Sequence, residues 1–124
     1  MSKCVVIGVT GGIAVYKALD IISALRKQDV EIKVIMTESA QEFVTPLAFQ
    51  SISQNMVVTD MFAEPKAWEI QHISLAQKAD LMLVAPATAN IIGKISNGIA
   101  DDMLSTTIMA TKAKVLIAPA MNTN

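Results

Sequence analysis

Leu83-Val84-Ala85-Pro86-Ala87-Thr88-Ala89-Asn90 and Leu116-Ile117-Ala118-Pro119-Ala120-Met121-Asn122 carry one pattern: an apolar run, Ala-Pro-Ala, then an asparagine. Each run reads as a buried strand. Proline has no N–H to give to a ladder, so each strand is expected to stop at its proline. If both lie in one parallel sheet, both Pro-Ala turns sit at its carboxyl edge, where open α/β sheets bind ligands. The repeat thus marks a ligand-binding rim of backbone and amide groups rather than charges.

Working outward, Lys3 to Val9 is a β-branched run closed by glycines and reads as a buried strand. Ile13 to Lys27 places Ile13, Tyr16, Ala18, Leu19, Ile22 and Leu25 at helical spacing, and Asp29 ends it. Glu31 to Thr37 is a second strand. Ser39 to Phe43 and Pro46 to Ser53 read as short helices, with Pro46 in a first turn. Met56 to Val58 reads as a short strand, and Thr59 to Glu69 is irregular. A helix runs from His72 to Ala79, a strand from Leu81 to Ala85, and a helix from Ala89 to Ile95, with a turn at Asn97-Gly98. Asp101-Asp102 cap a helix through Ala110, and Lys114 to Ala118 is the last clear strand. Strands alternating with helical crossovers predict an α/β fold, an open parallel sheet with helices on both faces.

The 124 residues fit one domain. Hydrophobic residues make up 52%, with five aromatics against eight Met, and mean hydropathy is +0.47. The aliphatic surplus points to a surface that faces another subunit. A net charge of −1 with interspersed signs gives no basic face for nucleic acid and no polybasic run for a membrane. No apolar stretch approaches the roughly 18 residues of a transmembrane helix. The lone Cys4 cannot form an internal disulfide, and a cytoplasmic location is expected.

Gly8-Val9-Thr10-Gly11-Gly12-Ile13 joins the first strand to the first helix. Glycines there admit a ligand to the backbone, and the helix start favours an anion. The spacing is not G-x-G-x-x-G, strand two ends in Thr37 rather than an acid, and the loop lacks a P-loop lysine. A phosphate monoester held by amides and hydroxyls fits better than a dinucleotide; a plain tight turn is the other reading. Thr37-Glu38-Ser39 can supply hydroxyls to a phosphate or ribityl chain, or Ser39 can simply cap a helix. Thr88 and Asn90 have the same two readings. His72, the one histidine, is either a proton carrier near the rim or a surface residue. Asn122 either orients a carboxylate without neutralising it or forms a turn. Cys4 reads as buried filler. Asp101 and Asp102 lack the partners of a metal site, so no metal is expected.

Taken together these residues resemble the homo-oligomeric flavin-containing cysteine decarboxylases, above all their phosphopantothenoylcysteine decarboxylase branch. The resemblance rests on Thr10-Gly11-Gly12-Ile13-Ala14-Val15-Tyr16-Lys17, Met36-Thr37-Glu38-Ser39-Ala40, His72-Ile73-Ser74-Leu75, Pro86-Ala87-Thr88-Ala89-Asn90, Gly98-Ile99-Ala100-Asp101-Asp102 with Leu104, and Pro119-Ala120-Met121-Asn122. It covers nearly the whole chain. It implies a Rossmann-like three-layer fold and FMN bound partly across a subunit interface in a trimer or dodecamer. Gly11, Gly12, Ile13, Thr37, Ser39, Thr88, Ala89, Asn90, Ile91 and Ala120 would line the FMN. By the same resemblance His72 is the base or proton relay, and Asn122 binds the substrate carboxylate.

The implied reaction turns phosphopantothenoylcysteine into phosphopantetheine in coenzyme A biosynthesis. Two electrons leave the thiol side for the flavin, the thioaldehyde so formed is the electron sink for loss of CO₂, and the electrons return to give the cysteamine product. The family places a reductive-step cysteine on a substrate-covering loop beyond Pro-Ala-Met-Asn, and Cys4 is not that residue by position. Residues 1–124 are accordingly expected to form a single FMN-binding domain lacking its C-terminal substrate-loop segment. A peptide-cysteine decarboxylase, a flavin prenyltransferase and a non-catalytic flavin-binding subunit are the alternatives.

Overall fold

The computed structural model describes residues 3–59 and 73–120. Four parallel strands, β1 (Cys4–Val9), β2 (Glu31–Met36), β3 (Leu81–Ala87) and β4 (Lys114–Pro119), form a sheet in the order β2-β1-β3-β4. The helices are α1 (Val15–Arg26), a 3₁₀ turn (Ser39–Glu42), α2 (Pro46–Ser53), α3 (Ala89–Asn97) and α4 (Met103–Ala110), and residues 73–78 are also helical. The expected α/β architecture is present.

β1 explains the layering. All six of its residues are buried, as a strand covered on both faces requires. Val5, Ile7 and Val9 face one way and join Val15, Ala18 and Ile22 of α1 and Phe49 of α2 in one core. Cys4 and Val6 face the other way and join Met103, Leu104 and Ile108 of α4 and Ile91 of α3 in a second. Two cores on opposite faces of one sheet make three layers. Gly8 falls on the second face, where a Cβ would lie 2.3 Å from Leu104 Cδ1; only a residue without a side chain lets α4 approach there.

Four expectations are corrected. β3 does not stop at Ala85: it runs through Pro86, which follows a cis peptide bond, to Ala87. The ladder to β4 shifts register between Val84 and Ala87, so no N–H is demanded of the proline. β4 likewise includes its proline, but the run is not buried. Leu116 is 53% exposed, because β4 is the edge of the described sheet. Helix α1 begins at Val15, leaving Ile13 in the preceding turn with 81% of its surface exposed. Met56–Val58 forms no strand; Val58 alone bridges Ile35, and it exchanges bonds with Met36 N–H and Val34 C=O at 2.9 Å each. Most of the irregular stretch Thr59–Glu69 lies outside the described residues.

Candidate functional site

β1 pairs with β2 on one side and β3 on the other, so the strand order reverses between β1 and β3. Their carboxyl ends diverge there into loops that leave a crevice. Thr10 closes its floor. Its buried hydroxyl donates to the Pro86 carbonyl at 2.5 Å and accepts from the Thr88 N–H at 3.1 Å. Beside it, Thr37 N–H donates to Val9 C=O at 3.0 Å, carrying the β1–β2 ladder one step past the strands.

Above this floor lies an open cleft of ≈ 680 Å³. Its lining includes the hydroxyl residues Thr10, Thr37, Ser39 and Thr88, together with Asn90 and Ile91 of the first turn of α3. The first N–H groups of a helix lie outside its internal ladder and favour an anion. Thr88 caps α3, its hydroxyl accepting from Ile91 N–H at 3.4 Å. The capping reading of Thr88 therefore holds, and the residue also lines the cleft. Ser39 does not cap: it is the first residue of the 3₁₀ turn, and the Thr37 hydroxyl instead accepts from Ala40 N–H at 3.3 Å. That leaves the Ser39 hydroxyl at the cleft, 3.4 Å from that of Thr37.

Gly11 and Gly12 act differently. A Cβ at Gly11 would sit 2.9 Å from Ser39 Oγ, so the first and second loops meet only because residue 11 lacks a side chain. Gly12 has open space around it but adopts φ +138°, which L side chains rarely do.

Charged side chains line the cleft as well. Glu38, Glu42, Asp101 and Asp102 line it, and Lys94 is the cationic side chain among its described lining residues. Lys94 Nζ lies 2.9 Å from Asp101 Oδ1 and 3.4 Å from Asp102 Oδ2. The Asp101 hydrogen bond holds the Lys94 ammonium above the usual lysine range, and Lys94 in turn holds the Asp101 carboxyl below its own. Asp102 caps α4 through a reciprocal box with Ser105. Capping was expected of both acids; Asp101 instead serves Lys94.

Of the residues expected at the cofactor, Thr37, Ser39, Thr88, Asn90 and Ile91 line the cleft. Gly11, Gly12, Ile13 and Ala89 do not line it but belong to the turns that shape it. Ala120 donates its N–H to Ala87 C=O at 3.0 Å, next to the same sheet edge. His72 and Asn122 lie outside the described residues. Sequence reasoning missed Lys94 and Glu42. Lys94 was legible as the residue one helical turn after Asn90, on the same face of α3.

The model of the Flavoprotein family matches residues 1–124. The chain belongs to the Flavoprotein family. Among curated relatives, this flavoprotein is 57% identical over 121 residues to the coenzyme A biosynthesis bifunctional protein CoaBC of Bacillus subtilis (strain 168). The match takes in 98% of this chain and 30% of that protein, so the chain spans about a third of the curated relative. Among solved structures it is similar to the FMN-dependent cysteine decarboxylase TvaF from thioviridamide biosynthesis, with TM-score 0.87 and 29% identity over 99% of this chain and 76% of that one. A PPC decarboxylase variant complexed with pantothenoylaminoethenethiol aligns with TM-score 0.78 and 26% identity over 99% and 69%. The expected likeness to flavin-dependent cysteine decarboxylases and the Rossmann-like fold are both borne out.

Proposed function

We propose that this flavoprotein binds FMN in the carboxyl-edge cleft and decarboxylates phosphopantothenoylcysteine to phosphopantetheine, a step of coenzyme A biosynthesis. The observation that carries the cofactor assignment is the uncharged part of the cleft lining: four hydroxyl residues, a helix start, and Gly11 without a side chain against Ser39. These groups suit a phosphomonoester and ribityl chain, since they donate without bringing a fixed charge. Bound FMN supplies reversible two-electron redox chemistry at the substrate thiol. The substrate assignment rests on the likeness to CoaBC over 121 residues.

In this reading Thr37, Ser39 and Thr88 hold the phosphate end, with Gly11, Gly12 and Ile13 along the ribityl chain. Ala89, Asn90, Ile91 and Ala120 complete the wall. His72 moves the proton and Asn122 holds the substrate carboxylate. The assembly is a homo-oligomer, a trimer or a dodecamer, in the cytoplasm. Exposed Ile13, Tyr16, Phe43 and Leu47 support a covered surface beside the glycine turn. Tyr16 and Phe43 are already tied there by a 3.0 Å bond from the tyrosine hydroxyl to the Phe43 carbonyl. Cys4, buried and with its thiol pushed up by burial, supports a location in which thiols stay reduced.

The visible spectrum of the purified protein and the mass of its released chromophore come first. FMN followed by CO₂ release from phosphopantothenoylcysteine supports the proposal; a colourless protein that refuses added FMN overturns it. The fit to the peptidyl-cysteine decarboxylase EpiD, with TM-score 0.82 and 29% identity, favours a peptide-cysteine decarboxylase as the second reading. CO₂ release from a C-terminal cysteine peptide, with none from phosphopantothenoylcysteine, would establish it. His72→Asn is expected to keep FMN and lose CO₂ release.

A further inference from the structure

The charged lining of the cleft has no part in the proposal above. Asp101 and Asp102 follow the exposed connection that begins at Gly98, and their backbone is tied to α4. The Asp101 and Asp102 N–H groups both donate to the hydroxyl of buried Ser105 at 3.1 Å. Asp102 Oδ1 accepts from Ser105 N–H at 2.7 Å. The start of α4 therefore fixes the Asp102 carboxylate in the wall of the cleft, while Asp101, its side chain 59% exposed, is held there by Lys94. Glu38 and Glu42 add to the same negative field. Lys94, with its side chain only 18% exposed, sits between the two aspartates.

Resting on the flavin reading, we infer that Lys94 determines ligand specificity in the cleft: its ammonium offsets part of the negative charge of the wall made by Asp101 and Asp102, and so admits a phosphorylated flavin. Lys94 is a positioning and charge-compensating residue. It need not touch the phosphate. Removing it leaves the carboxylates of Asp101 and Asp102 at the cleft without their cation, and their repulsion falls on a dianionic ligand far more than on an uncharged one of the same ring system.

The test is to titrate flavin-free protein with FMN and, separately, with riboflavin, following flavin fluorescence at low salt. Lys94→Met is expected to weaken FMN about tenfold while riboflavin changes less than about twofold. Lys94→Arg restores FMN binding. Asp101→Asn, a change at an exposed residue that leaves Lys94 in place, is expected to tighten FMN about threefold without moving riboflavin. It serves as the test should Lys94→Met fail to fold. Equal weakening of both flavins, or no change in either, overturns the inference and leaves the flavin reading standing. Wild-type protein that binds neither flavin overturns both.

Discussion

Thr10 and Thr88, 78 residues apart in the chain, are joined by a 3.1 Å hydrogen bond at the point where the strand order reverses. The same Thr10 hydroxyl donates to Pro86, so one buried oxygen ties the first loop to both the end of β3 and the start of α3. The cleft floor is held by this side chain in addition to the backbone bond from Thr10 N–H to Pro86 C=O at 3.4 Å.

Thr10→Val removes both bonds with little change of shape, and leaves the Thr88 N–H and one bond at the Pro86 carbonyl unmade. The expected loss is about 1–3 kcal/mol, measured by urea unfolding. Thr10→Ser keeps the oxygen and should retain most of the stability. Equal losses in the two variants would deny the hydroxyl this role.

Gly8→Ala places a methyl 2.3 Å from Leu104 Cδ1 and 3.2 Å from its Cγ. Leu104 is 1% exposed and has nowhere to go. Overpacking of this kind costs about 1–3 kcal/mol. Combining it with Leu104→Ala should cost less than the sum of the two single changes, because the cavity of one receives the methyl of the other. Strict additivity in a double-mutant cycle would contradict this packing.

Asp102→Ala removes the N-cap of α4 and one partner of Lys94 together. Loss of an N-cap costs about 1–2 kcal/mol. Asp102→Asn keeps the cap and loses only the charge, so its thermal midpoint should lie close to wild type. A midpoint as low as that of the alanine variant would show that the ion pair, rather than the cap, stabilises this helix.

Glu31 on β2 pairs with Lys78 at 3.0 Å, joining the sheet to the helical residues 73–78. Its bond to Lys78 holds the Glu31 carboxyl below the usual glutamate range, and Lys94 does the same for Asp101. In acid the unfolded chain therefore binds more protons than the folded one. These pairs stabilise above the ordinary carboxylate values, and the stabilisation fades as pH falls through the lowered ones. Lys78 and Lys94 are raised, so on the alkaline side the same contribution is present at neutral pH and fades as pH climbs through their raised values. Glu31→Gln should flatten the acid limb of a urea-midpoint profile between about pH 5 and 3. An unaltered limb would mean that the pair contributes nothing, the common outcome for an exposed pair.

The layered fold was legible because β1 is apolar at every position, and only a strand covered on both faces reads so. What periodicity could not supply was the company each element keeps. Pro86 was expected to end its strand, yet a register shift against β4 lets the strand carry it. Leu116 and Ile117 look like core in sequence and lie on an edge strand in space. At the site, the hydroxyl residues Thr37, Ser39 and Thr88 do line the cleft, but the capping bond expected of Ser39 is made by Thr37, because Ser39 is already the first residue of the 3₁₀ turn. Lys94 stayed hidden because its meaning comes from Asp101 and Asp102, which approach it only after the chain reverses at Gly98.

The Thr10–Thr88 bond also sets an order of events in time. β1 leaves the ribosome first and finds β2 soon after, but its other neighbour is not made until residue 81. At about 5–20 residues per second that is a wait of several seconds, with one edge of the central strand bare. The cleft does not exist during that interval, even in outline, since its floor needs atoms from both ends of the gap. A ligand for this site cannot guide the early chain and can only reward a chain that has already closed. Occupancy of the cleft is therefore a report that β1, β3 and the start of α3 have been made and joined.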